Sequence, residues 1–277
     1  MDIDMSTILI SVLVIGFSGM ALGFGLSFAS KKLKVEEDPR IAEVQDVLPG
    51  ANCAACGFPG CANFAGAVVK GTVSPNSCPV GGSALAQQIA KILGIEVQET
   101  ARMVAYIHCD GSNDKAENRY EYHGMGDCFA AKQLAGGGAK ACSYGCLGEG
   151  SCKTVCAFDA VVIEGGIARI DNDKCVACSK CIPACPKNLI SLVPHASKVR
   201  IACNSQDDGK TVKANCKVGC IGCRLCVKAC GDTAAVNMDG KLAVIDYAKC
   251  TDCGACASKC PAKCIAGKPV DVEKVEG

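Results

Sequence analysis

The sequence predicts an α+β chain with a single N-terminal transmembrane helix, a small cysteine-rich module and two related domains behind it. Three observations carry that prediction. Thr7 to Ala29 is an uncharged stretch of 23 residues. Twenty-five of the 277 residues are cysteine, and sixteen of these fall in four close runs: Cys142 to Cys156, Cys175 to Cys185, Cys220 to Cys230 and Cys250 to Cys260. Strand-like stretches, 160–170 and 234–245, separate the runs pairwise, each broken by a glycine turn suited to a hairpin.

The apolar stretch is long enough to cross the hydrocarbon core as one helix, so residues 1–30 read as a membrane anchor. A cleaved signal peptide is the rival reading. Against it, Asp2 and Asp4 stand where such a peptide is basic, and the apolar run exceeds the usual signal core. Lys31, Lys32 and Lys34 follow at once, so the positive-inside rule places the remainder in the cytoplasm of a single-pass protein of the cell membrane. Gly19 and Gly23 form a small-xxx-small pair that would let a second helix approach, although glycine is common in membrane helices anyway. Residues 31–48 read as a charged linker with a stop at Pro39.

Composition narrows the chemistry. With 4% aromatic residues and no Trp, a chain of this length cannot build several large cores. Metal–sulfur bonds must supply much of the stability, and the metal-free chain is expected to fold poorly. This density of cysteine would mean disulfides in a short secreted protein, but here the thiols come in metal-ligand spacing. No G-x-G-x-x-G opens a helix after a strand and there is no P-loop, so no nucleotide site is expected. Nucleic acid is not an expected partner either. His108, His123 and His195 lack the mutual spacing of a catalytic constellation and read as structural.

The first soluble module, 49–82, holds Cys53, Cys56, Cys61 and Cys78 among Gly and Ala. Small neighbours let backbone N–H groups turn toward sulfur and stabilise an anionic cluster. A four-cysteine structural zinc site is the alternative. The Cys78-Pro79 ending and the runs downstream favour a 4Fe-4S cluster instead. In the connecting segment, 83–138, Ser83 to Leu93 reads as a helix with Ser83 as N-cap and Gly94 as its stop. Met103 to Ile107 reads as a strand ending at His108-Cys109-Asp110-Gly111. Asp127-Cys128 opens a second helix through Leu134, and Gly136 to Gly138 reads as a helix stop.

Three of the runs read C-x2-C-x2-C-x3-C, the spacing with which bacterial ferredoxins bind cubane clusters: Cys175, Cys178, Cys181, Cys185; Cys220, Cys223, Cys226, Cys230; and Cys250, Cys253, Cys256, Cys260. Residues 139–197 and 198–277 therefore read as bacterial-type two-cluster ferredoxin-like domains. The irregular run, Cys142, Cys146, Cys152, Cys156, aligns with Cys216, Cys220, Cys226, Cys230, and Glu149 then stands where the other copy has Cys223. The repeat extends upstream, because AYIHC, ending at Cys109, resembles VRIAC, ending at Cys203.

In two-cluster ferredoxins the fourth cysteine of each run serves the other cluster. One half then pairs Cys175, Cys178, Cys181 with Cys156, and Cys146, Cys152 with Cys185 plus a substitute for the lost ligand. Cys142 is the nearest substitute in sequence, ahead of Cys109 and Cys128; Glu149 itself would offer carboxylate where soft thiolate is preferred. The other half pairs Cys220, Cys223, Cys226 with Cys260, and Cys250, Cys253, Cys256 with Cys230. The tally is five 4Fe-4S clusters. Of the thiols left over, Cys109, Cys128, Cys203 and Cys216 could assemble a sixth, and Cys264 reads as a packed thiol.

An anchor, then GANCAACGFPGC ending in Cys78-Pro79, then paired runs including CVACSKCIPACPKNLI and CKVGCIGCRLC resemble the B subunit of the Rnf complex, a membrane-bound ferredoxin:NAD oxidoreductase that translocates Na⁺ or H⁺. The resemblance covers nearly the whole chain. It implies a relay subunit with no substrate chemistry of its own, which accepts electrons from reduced ferredoxin and passes them to other subunits of the complex at the lipid bilayer. Two departures stand out: Ala157 and Gly231 follow Cys156 and Cys230 where proline is usual, and the ferredoxin unit is doubled. A wire subunit of a membrane hydrogenase or dehydrogenase is the second reading, but it has no special use for the first module. Between Lys187 and Lys228 stand eight basic residues (Lys187, Lys198, Arg200, Lys210, Lys213, Lys217, Arg224, Lys228) against Asp207 and Asp208. That local excess suits an acidic ferredoxin as well as it suits a solvated face.

Overall fold

The computed structural model describes residues 5–32, 38–98 and 100–267. Helix α1, Met5–Lys32, carries exposed apolar side chains from Leu9 to Phe28. The expected transmembrane helix is not supported. Among the described residues no helix is long and apolar enough to cross a membrane. Lys34 lies outside the described residues, as do the side chains of Lys31 and Lys32.

Pro39 begins a helix rather than stopping one. Asp38 caps α2, Pro39–Val47, by accepting the Arg40 N–H at 3.0 Å, and proline at the first helical position gives up no hydrogen bond. Helix α3, Cys61–Val69, starts where Asn52 Oδ1 accepts the Cys61 N–H at 2.8 Å. Helix α4, Gly82–Leu93, ends on left-handed Gly94 (φ 68°), as the sequence predicts, although Gly81 rather than Ser83 is its N-cap and no side chain caps it. These three helices close a core around Val44, Phe64, Val68, Leu85 and Ile89, with Cys78 at its edge.

The remainder is built twice from one plan. In the first half β1, Met103–Ile107, pairs antiparallel with β4, Ile190–Pro194, and β2, Val161–Glu164, with β3, Ile167–Ile170. Gly165 and Gly166 are both left-handed (φ 56° and 73°), the requirement of a two-residue hairpin turn of the primed type. In the second half β5, Arg200–Ile201, pairs with β8, Ile265–Ala266, and β6, Val236–Asp239, with β7, Leu242–Ile245, turning at Gly240. Short helices carry the cysteines and their supports: α5, Cys128–Lys132; α6, Ser151–Thr154; α7, Gly209–Asn215; α8, Leu225–Cys230; and α9, Ala255–Ser258. The two cores gather Val104, Ile167, Leu189 and Val193, and Val199, Val236, Leu242 and Ile265, each with cysteines among them. Sulfur sits where an ordinary domain of this size would place aromatic rings.

The halves are sewn together along one seam. The Asp110 N–H donates to the Ala202 carbonyl at 3.1 Å, that of Glu117 to Asn215 at 3.0 Å, and that of Lys217 back to Lys115 at 2.8 Å. His108 Nδ1 donates to the Ile201 carbonyl at 2.7 Å, which leaves Nε2 to accept from the Ser191 hydroxyl, also at 2.7 Å. The Arg200 guanidinium lies over the Tyr106 ring, 5.2 Å from its centre.

Candidate metal centres

Sulfur placement begins with backbone conformation. Left-handed residues flank one cysteine in each loop: Asn52 and Ala54 around Cys53 (φ 45° and 58°), Ala177 and Ser179 around Cys178 (55° and 63°), Gly222 and Arg224 around Cys223 (67° and 60°), Asp252 and Gly254 around Cys253 (55° and 73°). A side chain in that region costs about 1–2 kcal/mol. The alternation turns successive N–H groups to one side, where an anionic cluster is stabilised. Gly148 and Gly150 (81° and 83°) set Glu149 in the same backbone position, so the ligand is lost while the loop that held it persists.

Cys53, Cys56, Cys61 and Cys78 line one cavity of about 330 Å³, its open mouth included. Cys156, Cys175, Cys178 and Cys181 line another of about 360 Å³, and Cys220, Cys223, Cys226 and Cys260, together with Cys264, a third of about 330 Å³. Burial raises the pKa of Cys250 and Cys256, and neighbouring thiolates add to it: Cys230 and Cys253 at Cys250, and Cys230 and Cys250 at Cys256.

Around the first-half position with the missing ligand, the structure gathers thiols other than the expected set. Cys146, Cys152 and Cys185 line a cavity of about 330 Å³ with Cys128, and Cys142 does not reach it. The cause is a local strap. The Asp127 carboxylate accepts from the Phe129 and Ala130 N–H groups and starts α5; it also accepts the Ser151 hydroxyl at 2.7 Å, and Ser151 Oγ in turn accepts the Cys128 N–H at 2.7 Å. Cys128 is thereby tied to the residue before Cys152.

Cys142 lines a cavity of about 470 Å³ on the seam, together with Cys109, Cys203 and Cys216. The sixth set foreseen in the sequence thus holds Cys142 in place of Cys128. Each half supplies the same two positions of the repeat. Cys109 Sγ accepts the Cys146 N–H at 3.4 Å, and Cys203 Sγ accepts that of Cys220 at 3.2 Å. Gly111 fits between the sulfurs: a Cβ there would lie 3.5 Å from Cys216 Sγ and 3.7 Å from Cys109 Sγ. Lys140, 4% exposed, borders the cavity with its ammonium bound to the Gly111 and Gly166 carbonyls at 2.6 and 2.9 Å. A parity signal in the sequence points the same way: Cys128 has no counterpart in the second half, and Cys223 has none in the first.

The donor set suits a cluster. A cubane asks for four thiolates around a cluster-sized space. Among the described residues no three of His, Cys, Asp or Glu converge tightly enough to hold a single metal ion. N–H groups point at the sulfurs: Ala105 at Cys175 (3.3 Å), Ala168 at Cys146 (3.4 Å) and Leu189 at Cys185 (3.4 Å). Burial pushes Cys146, Cys181, Cys203 and Cys256 up to about 11, and burial together with the neighbouring thiolates pushes Cys152 up to about 12. Several such thiolates require a cation among them.

Three family models match: "Putative Fe-S cluster" over residues 48–80, "4Fe-4S binding domain" over 168–191 and "4Fe-4S dicluster domain" over 212–261. The chain is 45% identical over 270 residues to the B subunit of the Na(+)-translocating ferredoxin:NAD(+) oxidoreductase complex of Acetobacterium woodii, covering 97% of this chain and 80% of that one. It is 43% identical over 263 residues to the B subunit of the ion-translocating oxidoreductase complex of Methanosarcina acetivorans (94% and 99% covered). To the B subunit of the proton-translocating ferredoxin:NAD(+) oxidoreductase complex of Clostridium ljungdahlii it is 40% identical over 265 residues (94% and 93% covered).

Proposed function

Because this chain belongs to the family of B subunits of the ion-translocating ferredoxin:NAD(+) oxidoreductase (Rnf) complexes, and is an electron-transfer subunit of that kind of complex, we propose that it draws electrons from reduced ferredoxin and hands them to other Rnf subunits through six 4Fe-4S sites. Bound clusters supply one-electron carriers whose potentials follow charge, solvent access and hydrogen bonds to sulfur. The chain's own residues set their order. Cys152 in α6 and Cys156 just beyond it serve the two first-half sites, as Cys226 and Cys230 of α8 serve the two second-half sites.

The observation that carries the reading is the seam set. Cys109, Cys142, Cys203 and Cys216 stand between the halves, and the N–H groups of Cys146 and Cys220 join that set to the neighbouring site on each side. Five sites then form one line. Electron input is assigned to the Cys220 site, where Cys223 is exposed and Arg224 and Lys228 beside it are exposed as well. Lys198, Lys210, Lys213 and Lys217 are exposed too. Arg200 does not belong to it, being 5% exposed, and half-buried Lys187 is bound to the Ser143 carbonyl at 2.6 Å.

The test is iron and sulfide per chain on anaerobically purified protein, with electron transfer from ferredoxin followed against ionic strength. About 24 irons and a rate that falls with salt are expected. About 20 irons would remove the seam site, and a flat salt profile would remove the docking surface.

A further inference from the structure

Twenty-four cysteines fall into six sets of four, and the twenty-fifth, Cys264, is neither distant nor exposed. It is 2% exposed and lines the same cavity as Cys220, Cys223, Cys226 and Cys260. Its Sγ lies 3.5 Å from Cys260 Sγ. Thiolates bound to different irons of a cubane are held apart by the width of the cluster, whereas these two sulfurs are in hydrogen-bond contact. Cys264 is therefore placed behind the ligands, just before β8, rather than at a fifth corner.

The repeat supplies an internal control. Counting four residues on from Cys185 gives Leu189, and four on from Cys260 gives Cys264. The two backbones do the same work: the Leu189 carbonyl accepts the His108 N–H at 2.7 Å and that of Cys264 accepts the Ala202 N–H at 2.8 Å. The Leu189 N–H also donates to Cys185 Sγ, the ligand sulfur four residues back, at 3.4 Å. Leu189, 1% exposed, packs there as a hydrocarbon. What Cys264 adds is one S–H at equal burial.

Resting on the reading that Cys220, Cys223, Cys226 and Cys260 hold a cluster, we propose that Cys264 binds no iron and donates its S–H as a hydrogen bond to the Cys260 sulfur, raising the reduction potential of that site. A ligand sulfur bound to iron can only accept. The reduced cluster carries one more negative charge, so a donor at its sulfurs stabilises that state more than the oxidised one. Little water competes at this depth, which strengthens the bond. The second half thereby carries a potential-raising donor that the equivalent first-half site lacks.

The experiment is an EPR-monitored redox titration of the full holo-protein as wild type, Cys264→Ala and Cys264→Ser, with iron counted in each. Cys264→Ala is expected to keep its iron and to shift one site's reduced-to-oxidised ratio about tenfold toward oxidised at fixed potential, which is about 59 mV for one electron. Cys264→Ser, whose hydroxyl can still donate, is expected to restore most of that shift. Unchanged potentials in Cys264→Ala overturn the inference, and so does loss of about four irons from either variant, which would make the thiol a ligand or a support. Cys220→Ala separates the two layers: if it loses no iron or signal, the underlying cluster reading falls, whereas loss there with unshifted potentials in Cys264→Ala defeats only the tuning role.

Discussion

Substituting Cys142 and Cys216 to serine, singly and together, tests the partition of thiols between sites. Each four-cysteine set accounts for one cubane, so six sets hold about 24 irons and the loss of one ligand removes about four at most. Cys142 and Cys216 line the same cavity, and Cys128 lines a different one. Cys142→Ser and Cys216→Ser should each leave about 20 irons, and the double variant should also leave about 20, because the second change strikes a site already empty. Cys128→Ser with Cys142→Ser should instead be additive, leaving about 16, as independent sites are. The assay is iron and sulfide per chain after anaerobic purification, with EPR to confirm which signals remain. A Cys142→Ser/Cys216→Ser protein holding about 16 irons would refute the argument, since Cys142 would then serve the Cys146 site.

Two further outcomes follow from the same geometry. Phe64→Ala empties the centre of the first module, where Phe64 is 1% exposed and meets Phe58 edge-on at 6.0 Å between ring centres; a loss of about 3–5 kcal/mol is expected, read as loss of the module's iron at a lower denaturant concentration than wild type. Cluster retention should weaken as pH falls, because buried thiols held near 11 to 12, as at Cys146 and Cys152, take protons in place of iron. Without metal the sign reverses: with folded values above the ordinary thiol value, stability is present below that value and is lost as pH climbs through 11 to 12. Iron retained against a chelator at several pH values checks this, and retention that rises on acidification would contradict it.

Several features were legible in the chain because they depend on near neighbours. The strand at Met103–Ile107, the two hairpins with their glycine turns and the Gly94 stop each follow from local pattern. The helix expected from Asp127-Cys128 to Leu134 forms but is shorter, ending at Lys132. Pro39 misled, because proline is a stop within a helix and a start at its first position. The uncharged N-terminal stretch suggested a membrane span that the described residues do not support.

By itself the sequence determined that these thiols come in cluster spacing, that the ferredoxin unit is duplicated, and that the first copy lost a ligand at Glu149; each is a matter of residue order, which folding cannot change. Only the tertiary structure decided which thiols line a common cavity. Nearness in sequence favoured Cys142 for the gap, but a cluster takes sulfurs from wherever the chain brings them together. Ser151 and Asp127 tie Cys128 to the gap, and the backbone bonds of the seam bring Cys142 to Cys216, far along the chain. The same packing placed Cys264 against the Cys260 sulfur, a contact that residue spacing could not reveal.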